Sequence, residues 1–171
     1  IDSIRRANIS ATGILELDGE QLTSERVRRE MHQYLIERDC VASHTIVSCG
    51  SDTSMPHEEG HGPLHANQPI IIDCNPRSAS NGYYCDITRT IVRGTAPTAL
   101  QRQYEAVLEA QEFAHGMLKP GANGKEIHAS VTEFLDGRGY KTHQVAGSRR
   151  ASSTPPATGS ESKRTSARTS P

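Results

Sequence analysis

Two groups of residues in this chain could do chemistry: a histidine-rich loop, and a pair of aspartates set into apolar strands. His57, Glu58, Glu59, Gly60 and His61 match H-E-x-x-H letter for letter. That pattern holds zinc when a helix places both imidazoles on one face at i and i+4. Here Pro56 precedes it, Gly60 lies inside it and Gly62-Pro63 follows at once. The spacing therefore predicts a polar loop with solvated histidines, not a helix that presents two ligands.

Asp73 and Asp86 are the more informative pair. Asp73 ends the run Pro69-Ile-Ile-Ile, and Asp86 precedes Ile87-Thr-Arg-Thr. A carboxylate among apolar or β-branched strand residues is costly to bury unless a cation or hydrogen-bond donors compensate it. Two facing carboxylates would raise each other's pKa unless a metal kept both ionised. Thr88 and Thr90 share the face of Asp86 by the two-residue period, which adds hydroxyls beside it. Spacing alone favours a plainer reading, in which each aspartate bonds to backbone or pairs with Arg89 or Arg93, and it leaves the choice open.

The elements that must position these residues can be read from periodicity. Thr23 or Ser24 can cap a helix whose apolar residues Val27, Met31, Tyr34 and Leu35 follow the helical period. HTIVSC (44–49) is a β-branched strand, and a Gly- and Pro-containing loop spans 50–63. PIIIDC (69–74) has the continuous apolar character of a strand buried on both faces. GYYCDITRTIVRG (82–94) alternates as one long strand, and NPRSASN (75–81) between the two predicts an antiparallel hairpin. A helix follows from Thr98, with Tyr104, Val107, Leu108, Ala114 and Leu118 near one stripe, until PGANG stops it. A second helix starts after Asn123, with Ile127, Val131, Phe134 and Leu135 on its apolar face. The fold class is α+β, without internal repeats.

Composition bounds the rest. At 171 residues the chain is at most one ordinary domain, and its hydrophobic share of 34% is low for a chain that is all core. No apolar run exceeds three residues, against the roughly 20 of a transmembrane helix, and the first residues lack the apolar stretch of a signal peptide. Membrane and secreted readings fall away, and a cytoplasmic protein is expected. Cys40, Cys49, Cys74 and Cys85 show no C-x-x-C spacing and read as reduced thiols. Residues 147–171 are rich in Ser, Thr and Pro, hold nothing apolar larger than Ala, and carry five basic residues against one acidic residue. That segment is expected to be a disordered tail. Its interspersed charges without aromatics do not support nucleic-acid binding.

The run MPHEEGHGPLHANQPIIIDCNPRSASNGYYCDITRTIVRGTAP (55–97) resembles the first metal-binding stretch of the pita-bread metallopeptidases, the group of Xaa-Pro aminopeptidase, prolidase, methionine aminopeptidase and creatinase. The matching parts are P-H ahead of a Gly-containing loop, P-x-x-x-D at a strand end, and G-Y-x-x-D-x-T-R-T. The similarity runs from about Leu22 to His143. It implies a partial pita-bread fold, an antiparallel sheet with helices packed on one face, with residues 1–146 forming the front half of the catalytic domain. It implies that Asp73 and Asp86 are ligands of a dinuclear site and that His57, as a catalytic residue, lies near the substrate. The implied cofactors are two divalent ions (manganese, cobalt, zinc or iron) that activate a bridging water. The implied substrate is a peptide with penultimate proline.

Family members complete the cage with a histidine in G-H-G and two glutamates, none of which follows in this frame. Back-translated and read one nucleotide earlier, RRASSTPPATGSESK (149–163) permits Gln-Gly-Phe-Phe-His-x-Thr-Gly-His-Gly-Leu-Gly-(Ile/Val)-Glu, the segment that the resemblance requires. The tail therefore reads as an out-of-frame translation beginning near Gly147. The expectations that follow are an Xaa-Pro peptidase inactive as this truncated chain, weak or no metal binding, and self-association or aggregation through uncovered apolar surface. The alternative is a non-catalytic binding module of the same fold.

Overall fold

The computed structural model describes residues 1–141. The tail expected at 147–171 and the reading-frame argument built on it lie outside the described residues. A short helix α1 (Asp2–Arg6) leads into a small antiparallel sheet of β1 (Asn8–Ile9), β2 (Leu15–Leu17) and β3 (Glu20–Gln21), in that order. Helix α2 (Ser24–Ile36) follows, with Thr23 as its cap: Thr23 Oγ1 accepts from the Arg26 amide at 3.2 Å. Next come β4 (Cys40–Val41), β5 (Thr45–Cys49), a 3-10 turn at Gly50–Ser54, β6 (Pro69–Cys74), β7 (Arg77–Ser78) and β8 (Ile87–Val92). Helices α3 (Thr98–Met117) and α4 (Gly124–Gly137) close the described chain. The main sheet is antiparallel in the order β5-β6-β8, and β4 pairs with β7 beside it.

The two faces of the main sheet differ. Val47, Ile70 and Ile72 point toward α2 and join Ile4, Leu15, Leu17, Leu22, Val27 and Leu64 in one buried cluster. On the same side His32 Nε2 meets Thr45 Oγ1 at 3.0 Å, and Thr45 in turn donates to Cys74 Sγ. The other face carries Ile71 and Asp73 from β6, opposite Thr90 and Thr88 of β8. It is only half-buried along β6 and exposed at both threonines. This corrects the expectation of a strand buried on both faces: β6 alternates buried and half-buried residues throughout its length.

Two further corrections concern strand length and the N-terminal segment. The long strand expected over 82–94 is regular only from Ile87 to Val92, because Pro76 opposite Cys85 has no N–H to give to the ladder. Residues 1–21 supply much of the core, yet their strands of two or three residues are too short for any periodicity to reveal. The expected helices over 98–117 and 124–137 are present. On α3, however, the stripe through Tyr104, Val107 and Leu108 is exposed, and its buried residues are Ala106 and Ala110. The pair holds together by stacking Phe113 on Phe134 at 5.2 Å between ring centroids. No helix among the described residues is long and apolar enough to cross a membrane.

Candidate functional site

The hairpin that joins β6 to β8 sets the geometry of the two aspartates. Asp73 stands opposite Thr88, and Cys74 opposite Ile87. Beyond the regular strands the register persists: the Cys85 amide donates to Pro76 O at 2.9 Å, and Arg77 bridges Tyr84. Asn75 therefore stands opposite Asp86. By the two-residue alternation Asp73, Thr88, Asn75 and Asp86 form one group on the face away from the core, with the two aspartates on a diagonal. Thr88 Oγ1 donates to Asp73 Oδ1 at 2.7 Å, which fixes one carboxylate oxygen and leaves the other free.

Among the described residues, neither arginine offered by the plainer reading is bonded to these aspartates. Arg89 gives Nη1 to the Thr88 carbonyl at 2.8 Å, and Arg93 gives Nε to the Ala7 carbonyl at 3.0 Å. Neither guanidinium pairs with Asp73 or Asp86, and among the described residues neither aspartate has an ion-pair partner within 4.0 Å. Behind them, burial pushes the Cys74 thiol up, and the nearby carboxylates of Asp73 and Asp86 push the same way. The side of the hairpin that faces the core is thus kept neutral.

His57 lies elsewhere in the fold. It is exposed, in a turn that follows the 3-10 segment, and no helix forms over 57–61, as the flanking Pro and Gly residues predicted. The loop is tied to the outer edge of β5, where the Val47 amide donates to Glu59 O at 2.9 Å. Two residues of α2 grip it as well. Arg28 Nη1 donates to the carbonyls of Glu59 and Gly60 at 2.5 and 2.6 Å, and Glu25 accepts from the Gly62 amide at 3.0 Å. Gly60 is required here, since its φ is +77° and a Cβ would lie 2.0 Å from Val47 O. No hydrogen bond or ion pair among the described residues joins His57 to the aspartates. Sequence reasoning missed this clamp, because Arg28 and Glu25 are more than 30 residues from what they hold.

The donor set on the hairpin suits a hard divalent cation: two carboxylates without an ion-pair partner among the described residues, one of them ordered by a hydroxyl. It is only part of a cage, for no group of three or more His, Cys, Asp or Glu close enough to hold a metal occurs among the described residues. Further along the same face, a groove of about 700 Å3 runs between α3 and Pro69, Ile71, Thr90 and Val92.

With this geometry in hand, similarity to known proteins is specific. The profile of metallopeptidase family M24 matches residues 3–155, and the chain belongs to that family. The Xaa-Pro dipeptidase of Pyrococcus furiosus is 33% identical over 129 residues, which are 71% of this chain and 36% of that protein. The Xaa-Pro aminopeptidase 2 of Streptomyces coelicolor is 31% identical over 105 residues, 60% of this chain and 22% of its own. Among solved structures, the prolidase from Pyrococcus furiosus superposes with a TM-score of 0.63 at 28% identity, covering 70% of this chain and 36% of that one. The X-Pro aminopeptidase from Thermotoga maritima gives 0.68 at 22% identity, covering 81% and 37%, a likeness of fold alone. The fold is thus α+β and partial pita-bread, and the chain matches between 22% and 41% of the length of these curated relatives.

Proposed function

We propose that this chain carries the first two carboxylate ligands of a divalent-metal site that hydrolyses peptides with penultimate proline. The observation that supports the reading is the continuous hairpin register, by which Asp73 and Asp86 share one open face, without a cationic partner among the described residues. In this reading Asp73 and Asp86 hold the metal. Thr88 orients the Asp73 carboxylate through its hydroxyl, and Arg28 and Glu25 hold the loop from which His57 approaches the substrate. Bound there, divalent ions supply Lewis-acid polarisation of the scissile carbonyl and a water of lowered pKa. The two carboxylates and His57 are too few donors for two ions, which need about four ligands each or more. Turnover in this reading depends on donors outside residues 1–141, and the shifted frame after Gly147 is where we propose they are encoded.

The test is hydrolysis of an Xaa-Pro dipeptide with added manganese, measured for the 171-residue chain and for a version with the reading frame restored after Gly147. The expected result is no detectable turnover by the first. The second should bind metal tightly and turn over in a manner abolished by Asp86→Ala. Robust turnover by the 171-residue chain, lost in Asp86→Ala, would overturn the claim that further donors are needed. A frame-restored protein that binds no metal would favour the non-catalytic module instead.

A further inference from the structure

The groove between α3 and the main sheet begins one step along the strands from Asp73. Ile71 stands opposite Thr90 in the regular ladder, and both line the groove. Asp73 stands opposite Thr88, and the hydrogen bond between their side chains puts both on one side of the sheet. The two-residue alternation gives Ile71 and Thr90 that same side. Two residues of strand are roughly 7 Å, so a molecule held at Asp73 has the near wall of the groove within that distance.

Size and charge decide what the groove can take. A volume of about 700 Å3 lies in the range that accepts a drug-sized ligand, which is several residues of peptide and more than one side chain. Ile71, Val92, Leu100 and Val107 make its walls apolar, while Thr90 and Gln101 offer groups that can bond a peptide backbone. Among the described residues no Lys, Arg or His lines it, and its one charged residue is Glu105. A carboxylate terminus entering there would lose water and meet an acid with no cation to compensate it. An uncharged, apolar continuation of the chain meets neither cost.

We propose that this groove receives the peptide chain downstream of the proline, so that peptides of four residues or more with apolar residues after the proline are favoured over Xaa-Pro dipeptides. The inference rests on the reading of Asp73 and Asp86 as metal ligands, which puts the scissile bond beside them, and goes beyond it by naming the substrate class. The lengths agree. The residue after the scissile bond extends the chain by about 3.8 Å, so a dipeptide ends short of the groove and the third and fourth residues of a longer peptide lie in it.

The test follows the amide chemical shifts of the isotopically labelled, metal-free 171-residue chain as Ala-Pro-Leu-Leu-amide or the dipeptide Ala-Pro is added. The longer peptide should shift Ile71, Thr90 and Leu100 and bind about tenfold more tightly or better, from the apolar area it buries. Thr90→Lys, at an exposed position, puts bulk and charge into the groove and should remove those shifts. If it lowers the melting temperature, Val107→Gln on the opposite wall replaces it and should weaken binding severalfold. Equal affinity for the two peptides, or shifts confined to residues outside the groove, overturns the proposal. Shifts at Ile71 and Thr90 that follow protein concentration and not peptide make a second copy the occupant and overturn it as well. Added Mn2+ separates the two levels of the argument, since it should broaden the amides around Asp73 and Asp86 in wild type and not in the Asp73→Asn, Asp86→Asn variant. If that difference is missing, the aspartate assignment fails and this proposal with it; if it is present and the longer peptide has no advantage, this proposal fails alone.

Discussion

Between Ile4 and Ile70 the chain buries Ile4, Leu15, Leu22, Val27, Val47, Leu64 and Ile70 almost completely in one cluster, whereas α3 and α4 bury nothing larger than Ala106 and Ala110. Both regions are regular and both carry apolar residues at sensible spacing. They differ in where those residues go. In the first region strands and helices of distant sequence close over one another. In the second, two helices lean on each other through Phe113 and Phe134 and leave Tyr104, Val107, Leu108 and Leu118 exposed. Local sequence is enough to make α3 and α4 helical, with Asn123 capping the second by accepting from the Lys125 amide. Their tertiary stabilisation has to come from a surface that the described residues do not provide. The hairpin that carries Asp73 and Asp86 sits at the boundary, with one face on the packed core and the other open.

The largest effect expected from this contrast is in stability. Leu64→Ala removes a fully buried side chain from the packed cluster and should cost about 2–5 kcal/mol, enough to unfold much of a marginal domain. Val107→Gln, more than half exposed on α3, should stay within about 0.5 kcal/mol of wild type. Urea denaturation of both variants measures the difference, and similar midpoints would mean that Leu64 contributes no more to stability than the exposed Val107.

Exposed apolar surface should next show itself in dye binding and association. Tyr104, Val107 and Leu108 together present an apolar strip on α3, so the wild-type chain is expected to bind ANS and to self-associate. The triple variant Tyr104→Gln, Val107→Gln, Leu108→Gln should lower both signals with little loss of structure in the β5-β6 core. A sharp, reversible thermal transition from a monodisperse wild-type monomer without ANS fluorescence would contradict the comparison.

This contrast also marks what was legible in the sequence. The strands around Asp73 and Asp86, the hairpin, the Thr23 cap and both late helices follow from local signals: β-branched runs, turn residues and helical spacing. The faces did not follow, because burial is decided by partners. Tyr104 and Val27 occupy equally good helical positions, and the packing of α2 on β5 separates their fates. The alternation of PIIIDC was hidden for a related reason. Ile71 is apolar like Ile70 and Ile72, so composition could not tell the open face from the closed one. At the site, the carboxylates were visible as misfits in apolar strands. The grip of Arg28 on residues 59 and 60 had no local signal at all.

Thiol chemistry sharpens the boundary at the hairpin. Cys74 is buried on the core side, and burial holds its thiol above the usual cysteine range, whereas Cys85, nearly opposite, is exposed. Alkylation by iodoacetamide near neutral pH should therefore modify Cys85 first and Cys74 only when the core opens. Mass spectrometry of the labelled peptides gives the ratio. Equal rates at the two sites would mean that the packed region opens as readily as the exposed one.

The smallest effect concerns how the packed region holds the His57 loop. Burial alone would raise the Glu25 carboxyl, but hydrogen bonds from its own backbone amide, from Gly62 and from Thr23, with Arg28 nearby, outweigh it and leave Glu25 below its usual value. A carboxyl lowered in the folded state contributes stability that is present above its unfolded pKa of about 4.3. That contribution is lost as pH falls through the lower folded value. Because Glu25 is exposed, the effect should be local, confined to the clamp on the loop. Near neutral pH, hydrogen exchange at the Gly62 amide should be slower in wild type than in Glu25→Gln, since the charged carboxylate is the stronger acceptor. The wild-type to variant ratio should approach one only as pH falls through the lowered folded value of Glu25, below which both side chains are neutral. A ratio that stays constant across that range would show that the loop is held by Arg28 and β5 alone, and that the carboxylate adds nothing to the placement of His57.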